Sequence, residues 1–332
     1  MIIHLPQNTS AQQAAIYAEQ FEAIHFEENG THVLVTSSKI KTLPEVLGKI
    51  GAEGFATDSD IQLASKKYRQ GVREIAMGEV VIGGSSGNTV MITGPCSVES
   101  EEQLEACAKL CVLLGVRVLR AGAFKPRTSP YTFQGMGLEG LKLLAKMREQ
   151  YGLQIITEVR DSTHVDAVIE YADIIQIGAK AMYDQGILRR CGKSGKPVLL
   201  KRGFGSTLQE FVQAAEFMLS AGNQQIMLCE RGIRTFETKT RFTLDLCGVA
   251  WLKEHTNLPV ILDPSHAIGY RYGVPDLSRA CVAMGVDGLL IETHPNPAVA
   301  KSDADQQLNF EQFTSLYKSL QPIAAAVHRT MV

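Results

Sequence analysis

Short apolar runs return at near-regular intervals between residues 90 and 291. They occupy 90–93, 116–119, 154–157, 174–177, 198–200, 226–229, 260–262 and 289–291, and each carries Val, Ile or Leu. Between them lie longer stretches whose apolar positions recur with helical spacing, at 101–114, 140–150, 208–221, 244–254, 275–284 and 310–327. A strand that is apolar throughout is buried on both faces, and such strands alternating with amphipathic helices predict a parallel sheet. Eight strand units favour a (β/α)8 TIM barrel over an open doubly wound sheet.

The first 70 residues follow another rhythm. Strands predicted at 2–5, 23–26, 32–36 and 54–57 alternate with a helix capped by Ser10 and running to 21, and with another over 42–50. Asn29-Gly30 marks the turn between the middle strands. The order β-α-β-β-α-β is ferredoxin-like. The fold class is therefore α/β: a barrel over 71–332 preceded by a small ferredoxin-like α+β domain over 1–70. A basic stretch at 66–73 reads as linker, and 79–82 with 89–92, joined by Gly83-Gly84-Ser85-Ser86-Gly87-Asn88, reads as a hairpin leading into the barrel.

Composition removes several functions. A formal net charge of -2 argues against a nucleic-acid partner, and no apolar run nears the ~20 residues of a membrane span. The start, Met1-Ile-Ile-His-Leu-Pro6, has no basic region and no long apolar region, unlike a signal peptide. The 7 cysteines are scattered and odd in number, which suits a reducing, cytoplasmic setting. Cys107 and Cys111, one helical turn apart, read as small core residues and not as a metal pair.

Chemistry gathers at the C-terminal ends of the barrel strands, where barrel enzymes keep their active sites. Strand by strand these ends supply Cys96; Arg120 and Lys125; Glu158; Lys180; Lys201 and Arg202; Glu230 and Arg231; Asp263-Pro-Ser-His266; and Glu292-Thr-His294, with Asp303 a short loop beyond. Buried charges must be paired or ligated, so so many together are hard to explain as structure. Cys96, His266, Glu292 and Asp303 form a set able to hold a metal. Their mixed S, N and O donors suit Mn, Fe, Co or Zn better than Mg or Ca. They come from strands that are neighbours once a barrel closes. His294 competes for a place, or stands behind the ligands. As a ligand at an open site, Cys96 is expected to be the accessible thiol. The second set is cationic: Arg120, Lys125, Arg127, Lys180, Lys201 and Arg231. Three of these crowd the loop that Gly135 and Gly137 close. Together they imply a load of about two phosphates and a carboxylate.

At these residues the sequence resembles the 3-deoxy-D-arabino-heptulosonate 7-phosphate (DAHP) synthase family, in the branch that shares its barrel with 3-deoxy-octulosonate 8-phosphate synthase. The motifs are Gly94-Pro-Cys-Ser-Val-Glu99, Phe124-Lys-Pro-Arg-Thr-Ser-Pro-Tyr131, Lys201-Arg-Gly203, Cys229-Glu-Arg-Gly-Ile-Arg234, Asp263-Pro-Ser-His266 and Ser302-Asp303. Lys125-Pro-Arg-Thr128 is the heptulosonate form, where the octulosonate enzymes carry an Asn-containing variant. Cys96 points to the metal-dependent type.

The resemblance implies condensation of phosphoenolpyruvate with erythrose 4-phosphate, the first step of the shikimate pathway, with a divalent metal as cofactor. It implies that Arg120 holds the phosphoenolpyruvate carboxylate and that Lys125, Lys180, Lys201 and Arg231 surround its phosphate. Pro126, Arg127, Thr128 and Ser129 would line the erythrose 4-phosphate site. Lys125, Glu158, Lys201 and His266 are the catalytic candidates. Glu158, or a carboxylate near Lys201, would manage the water proton. Lys180 stands where the family usually has Arg, which keeps the charge but loses the fork. The segment Gly269-Tyr-Arg-Tyr-Gly273 departs from the family's usual basic run. Residues 1–70 resemble an extension that carries feedback control, with tyrosine or phenylalanine as effector and a homotetramer as the assembly. The alternatives are octulosonate synthesis from arabinose 5-phosphate and, more distantly, a non-catalytic sugar-phosphate sensor.

Overall fold

The structure, a computed structural model, describes residues 1–125, 129 and 131–332. The chain opens with a four-stranded antiparallel sheet of β1 (Ile2–His4), β2 (Ile24–Glu28), β3 (Thr31–Val35) and β4 (Glu53–Phe55), in the order β2-β3-β1-β4. Helices α1 (Ala11–Gln20) and α2 (Glu45–Lys49) complete the ferredoxin-like order. Ser10 caps α1, its hydroxyl accepting from the Gln13 amide at 3.2 Å. α2 starts later than its pattern predicts, because Pro44 holds the residue before it out of the helical region. Alternation divides the sheet's side chains. Ile3, Leu5 and Leu34 pack with Ala14 and Leu47 of the helices. Ile2, Phe26, Val33 and Val35 join the main core of the chain instead.

A two-stranded hairpin follows, β5 (Glu74–Met77) paired with β6 (Val80–Gly83). This corrects the predicted hairpin of 79–82 with 89–92. The strand containing 89–92 has barrel partners on both edges and no free edge to offer. Ile75, Met77, Val80 and Ile82 pack against Val90, Val118 and Ile174, which stand at the starts of barrel strands, so the hairpin plugs that end.

The barrel runs β7 (Asn88–Gly94), α3 (Glu101–Leu114), β8 (Val118–Arg120), α4 (Gly137–Tyr151), β9 (Gln154–Val159), α5 (Val165–Tyr171), β10 (Ile174–Ile177), α6 (Gln185–Lys193) and β11 (Val198–Lys201). It continues with α7 (Leu208–Leu219), β12 (Ile226–Glu230), α8 (Leu246–His255), β13 (Val260–Leu262), α9 (Pro264–Ile268), α10 (Val274–Ala283), β14 (Gly288–Glu292) and α11 (Phe310–Ala326). Each strand pairs in parallel with the next, and β14 returns to β7 with Gly288 opposite Val90 and Glu292 opposite Gly94. That closure makes the predicted TIM barrel. A last strand, β15 (Thr330–Met331), lies beside the start of β7.

The basic stretch at 66–73 is no free linker. Arg73 is buried and donates to the Leu63 carbonyl at 2.9 Å and to Asn257 Oδ1 at 2.8 Å. Glu216 on α7 accepts from the amides of Gln62, Leu63 and Ala64 at 2.7, 3.2 and 2.8 Å. Burial lifts the Glu216 carboxyl to about 7, against the pull of those amides and Arg73. A carboxyl raised on folding contributes most below its unfolded value and loses that contribution as pH rises through the folded one. We therefore expect the stability advantage of wild type over Glu216→Gln to fall between pH 5 and 8. Melting both proteins across that range checks it; a constant difference would show that the carboxyl does not titrate there.

Candidate active site

Gly94 ends β7 with φ +142°, and a Cβ there would stand 2.1 Å from the Arg120 carbonyl oxygen. Only glycine lets the first strand come this close to the second before Pro95-Cys96. Cys96 Sγ donates to Asp303 Oδ2 at 3.1 Å and accepts from Lys125 Nζ at 3.0 Å. The ligand atoms of Cys96, Glu292 and Asp303 all lie within 4.8 Å of one another. His266, on the one-turn helix α9, brings Nε2 to 3.4 Å from Glu292 Oε1. Its Nδ1 is 2.7 Å from Asp263 Oδ2, which aims Nε2 at the cluster. The structure thus brings Cys96, Glu292 and Asp303 into one group and sets His266 beside Glu292. His294 is excluded from them: its Nδ1 accepts from the Asn296 amide at 3.0 Å, and its Nε2 faces Glu99 at 3.6 Å.

The expectation that Cys96 is accessible is overturned. Its exposure is 0%, and burial, with Glu292 adding, pushes its thiol up to about 12 while Lys125 opposes. Among the described cysteines the exposed one is Cys247 on α8, whereas Cys107, Cys111, Cys191 and Cys281 are buried. Burial disfavours charge at Glu292 and Asp303, yet His266 and neighbouring cations hold both carboxyls below their usual range. Burial also keeps His266 below the ordinary imidazole value, in spite of Asp263 and Glu292.

Beside the cluster opens a cavity of about 420 Å³, whose lining includes Lys125, Glu158, Lys180, Lys201, Arg231 and Arg234. Phe204 and Phe242 stack with centroids 5.4 Å apart and carry Arg234 and Arg231 over their faces at 4.8 and 4.3 Å. Nη1 of Arg231 is buried with no protein partner. An unpartnered buried guanidinium nitrogen at an open cavity is costly unless a ligand accepts from it. Burial lowers the Arg231 pKa. Lys201 Nζ sits 2.5 Å from Asp263 Oδ2. Glu158 accepts from Gln176 Nε2 at 2.7 Å and lies so close over Gly178 that a Cβ there would come within 2.2 Å of its carboxylate.

Arg120 is buried beside the cluster. Its Nη1 donates to Glu292 Oε1 at 2.5 Å and to the Pro95 carbonyl at 3.0 Å. Arg202 and Glu230, both at strand ends, are structural: they pair at 2.9 Å, and Asp245 takes the same guanidinium at 2.8 Å. Ser129 lies half-buried beyond Lys125, while Pro126, Arg127 and Thr128 lie outside the described residues. Sequence reasoning gave no separate role to Asp263 or Arg234, although both stood in quoted motifs. Gln306, which donates to Glu292 Oε2 at 2.6 Å, carried no sequence signal at all.

These features define a (β/α)8 enzyme with a cation-lined cavity next to a cluster of thiol, imidazole and carboxylates. The chain belongs to the DAHP synthetase I family, which it matches over residues 61–329. It is 46% identical over 266 residues to the phospho-2-dehydro-3-deoxyheptonate aldolase of Thermotoga maritima, covering 80% of this chain and 78% of that protein. A 2-dehydro-3-deoxyphosphooctonate aldolase of Stenotrophomonas maltophilia is 33% identical over 257 residues, covering 72% of this chain and 92% of that one. The crystal structure of the Thermotoga maritima DAHP synthase superposes with a TM-score of 0.81 at 36% identity, covering 100% of this chain and 98% of that chain. A truncated form of the Thermotoga maritima enzyme gives a TM-score of 0.77 at 41% identity, covering 82% of this chain and 100% of its own.

Proposed function

We propose that this chain condenses phosphoenolpyruvate with erythrose 4-phosphate to give DAHP and phosphate, opening the shikimate pathway. The observation that carries the reading is the juxtaposition of two sites: the cation-lined cavity borders the Cys96, His266, Glu292 and Asp303 cluster. The 46% identity to a heptonate enzyme, against 33% to an octonate one, supports erythrose 4-phosphate as acceptor.

The four side chains suit a borderline divalent ion, since buried acids this close together need a cation and the thiol and imidazole prefer a soft one. Bound there, a metal supplies Lewis acidity toward the aldehyde oxygen of the acceptor. The protein's own groups do the rest. Lys125, Lys180, Lys201 and Arg231 hold the phosphoenolpyruvate phosphate, and Arg120 is assigned to its carboxylate. That places C3 of phosphoenolpyruvate against the aldehyde carbon. As the C–C bond forms, the aldehyde oxygen takes up a proton and positive charge grows at C2; water adds there, and the C2–O bond to phosphate breaks as the new C2 hydroxyl gives its proton to the leaving phosphate and becomes the ketone. Glu158, on the cavity wall, takes the water proton, and Lys201 balances charge on the departing phosphate. Pro126, Arg127, Thr128 and Ser129 are assigned to the erythrose 4-phosphate end.

The division into a regulatory unit at 1–70 and a catalytic barrel at 71–332 is part of the same proposal, as are tyrosine or phenylalanine as effector, a homotetramer and a cytoplasmic location. Among the described residues no helix is long and apolar enough to cross a membrane. All the catalytic and binding candidates lie between Cys96 and Asp303, so the first unit is left for control.

Lys180→Ala should raise KM for phosphoenolpyruvate about tenfold or more, and raise it less for erythrose 4-phosphate, while Lys180→Arg should be tolerated or bind better. Steady-state kinetics with each substrate varied in turn checks this, and equal effects on both substrates would make Lys180 a general cation of the site. The function itself is tested by phosphate release with either aldose phosphate. We expect turnover with erythrose 4-phosphate and far less with arabinose 5-phosphate. The reverse preference would make the chain an octulosonate synthase, and no release with either would leave a sensor.

A further inference from the structure

The four side chains of the candidate metal centre arrive on separate segments. Cys96 follows β7, His266 sits on α9, Glu292 ends β14, and Asp303 lies in the loop beyond. Asp303 adopts φ +47°, a left-handed conformation that a non-glycine residue keeps only when its surroundings impose it.

Arg241 ties two of these segments together, the helix of His266 through its backbone and the Asp303 loop through its side chain. The backbone amide of Arg241 donates to the Ile268 carbonyl at 3.0 Å, and that of Phe242 to the Ala267 carbonyl at 2.8 Å, which fastens this strand of loop to the helix of His266. Arg241 Nη1 donates to Asp303 Oδ1 at 3.2 Å and to Gln306 Oε1 at 2.9 Å. Gln306, 1% exposed, passes the connection inward: its Nε2 donates to Glu292 Oε2 at 2.6 Å. One oxygen of each carboxylate is thus held from this side. The others face the cluster, Asp303 Oδ2 toward Cys96 Sγ at 3.1 Å and Glu292 Oε1 toward His266 Nε2 at 3.4 Å, with Arg120 Nη1 also donating to Glu292 Oε1 at 2.5 Å.

We propose that Arg241 and Gln306 form a brace that fixes the carboxylates of Asp303 and Glu292 for a divalent metal ion, acting as positioning residues. The proposal rests on the metal reading of the site. Holding one oxygen of each carboxylate stops it from rotating and keeps the other turned inward, where Arg120 shares Glu292 Oε1 with the cluster. Partners of this kind, behind the ligands, set metal affinity. Arg suits the task better than Lys, because one guanidinium nitrogen can serve two oxygens from a planar, rigid head. The approach to Gly269 is close at the root of the Arg241 side chain: a Cβ on Gly269, whose φ is +75°, would stand 2.6 Å from the Cβ of Arg241.

The test uses the full-length protein and two probes, Mn(II) and Co(II), titrated against a chromophoric chelator without substrate. Wild type, Arg241→Met, Arg241→Lys, Gln306→Leu and Gly269→Ala are compared, with melting curves confirming that each folds. Arg241 is surface-exposed, so its variants stay informative if the buried Gln306 variant fails to fold. We expect Arg241→Met and Gln306→Leu to bind either metal ~10–100-fold more weakly. Arg241→Lys should fall between them and wild type, and Gly269→Ala should resemble Arg241→Met. The thiolate absorption of the Co(II) protein should change in the variants. Wild-type affinity and an unchanged Co(II) spectrum in folded Arg241→Met overturn the brace while leaving the metal site standing. A wild-type protein that takes up neither metal overturns the metal reading, and the brace with it.

Discussion

Cys96→Ser should lose activity by ~10²-fold or more and should fail to recover when metal is supplied. Wild type stripped by a chelator should lose its activity too, but regain it with Mn or another first-row divalent ion. The two outcomes differ because of what sulfur does at this position. The thiol is fully buried between Asp303 and Lys125. Burial holds it protonated in the metal-free protein, so metal binding must displace a proton from a reluctant group. A hydroxyl is a poorer ligand still, and far harder to deprotonate. It does keep the same hydrogen-bonding roles, accepting from Lys125 and donating to Asp303, so the fold should survive the change. Metal content, melting temperature and turnover measured on the same preparations separate these effects. Full turnover of wild type in excess chelator, with no metal in the protein, would sink the assignment, and an unfolded serine variant would mean that Cys96 holds the loop together.

The candidate centre was legible in the sequence because a barrel turns strand order into proximity. Once the apolar runs at 90–93, 260–262 and 289–291 are counted as strands one, seven and eight, Cys96, His266, Glu292 and Asp303 must converge, since the last strand pairs with the first. The helix of Glu101–Leu114 could be read to the residue. Ser100 caps its start, and Gly115, at φ +74°, ends it. What stayed hidden was depth and long-range pairing. Residue type placed Cys96 at an open site, but its burial depends on loops more than 200 residues away, such as the one that carries Asp303. Nothing in the sequence says that Arg120, read as a substrate-carboxylate ligand, also pairs with Glu292. The hairpin was misplaced because 79–82 and 89–92 each read as strand, and nothing local says that β7 has both edges taken. Gln306 is an uncharged residue in a loop, and its role exists only through Arg241 and Glu292.

Asp263→Ala is expected to be among the most destabilising single changes in this site, at about 3–5 kcal/mol, as well as abolishing turnover. Asp263 is fully buried and serves three partners. Its Oδ2 accepts from Lys201 Nζ at 2.5 Å and from His266 Nδ1 at 2.7 Å, and its Oδ1 caps α9 by accepting the His266 amide at 3.0 Å. Burial alone would favour the neutral acid, but His266 and Lys201 hold the carboxyl far below its usual range, so it is charged at any working pH. Alanine removes the acceptor and leaves Lys201, 3% exposed, as a buried charge without its partner. It also frees the ring of His266 to turn away from Glu292. If the cost is mostly this stranded charge, removing both charges should cost less than removing Asp263 alone. Lys201→Met combined with Asp263→Leu should then be more stable than Asp263→Ala, although equally inactive. Denaturant unfolding of Lys201→Met, Asp263→Leu and the double variant measures the coupling. Strict additivity of the two substitutions would show that the pair is screened in the folded protein and that the loss in Asp263→Ala comes from the cap on α9.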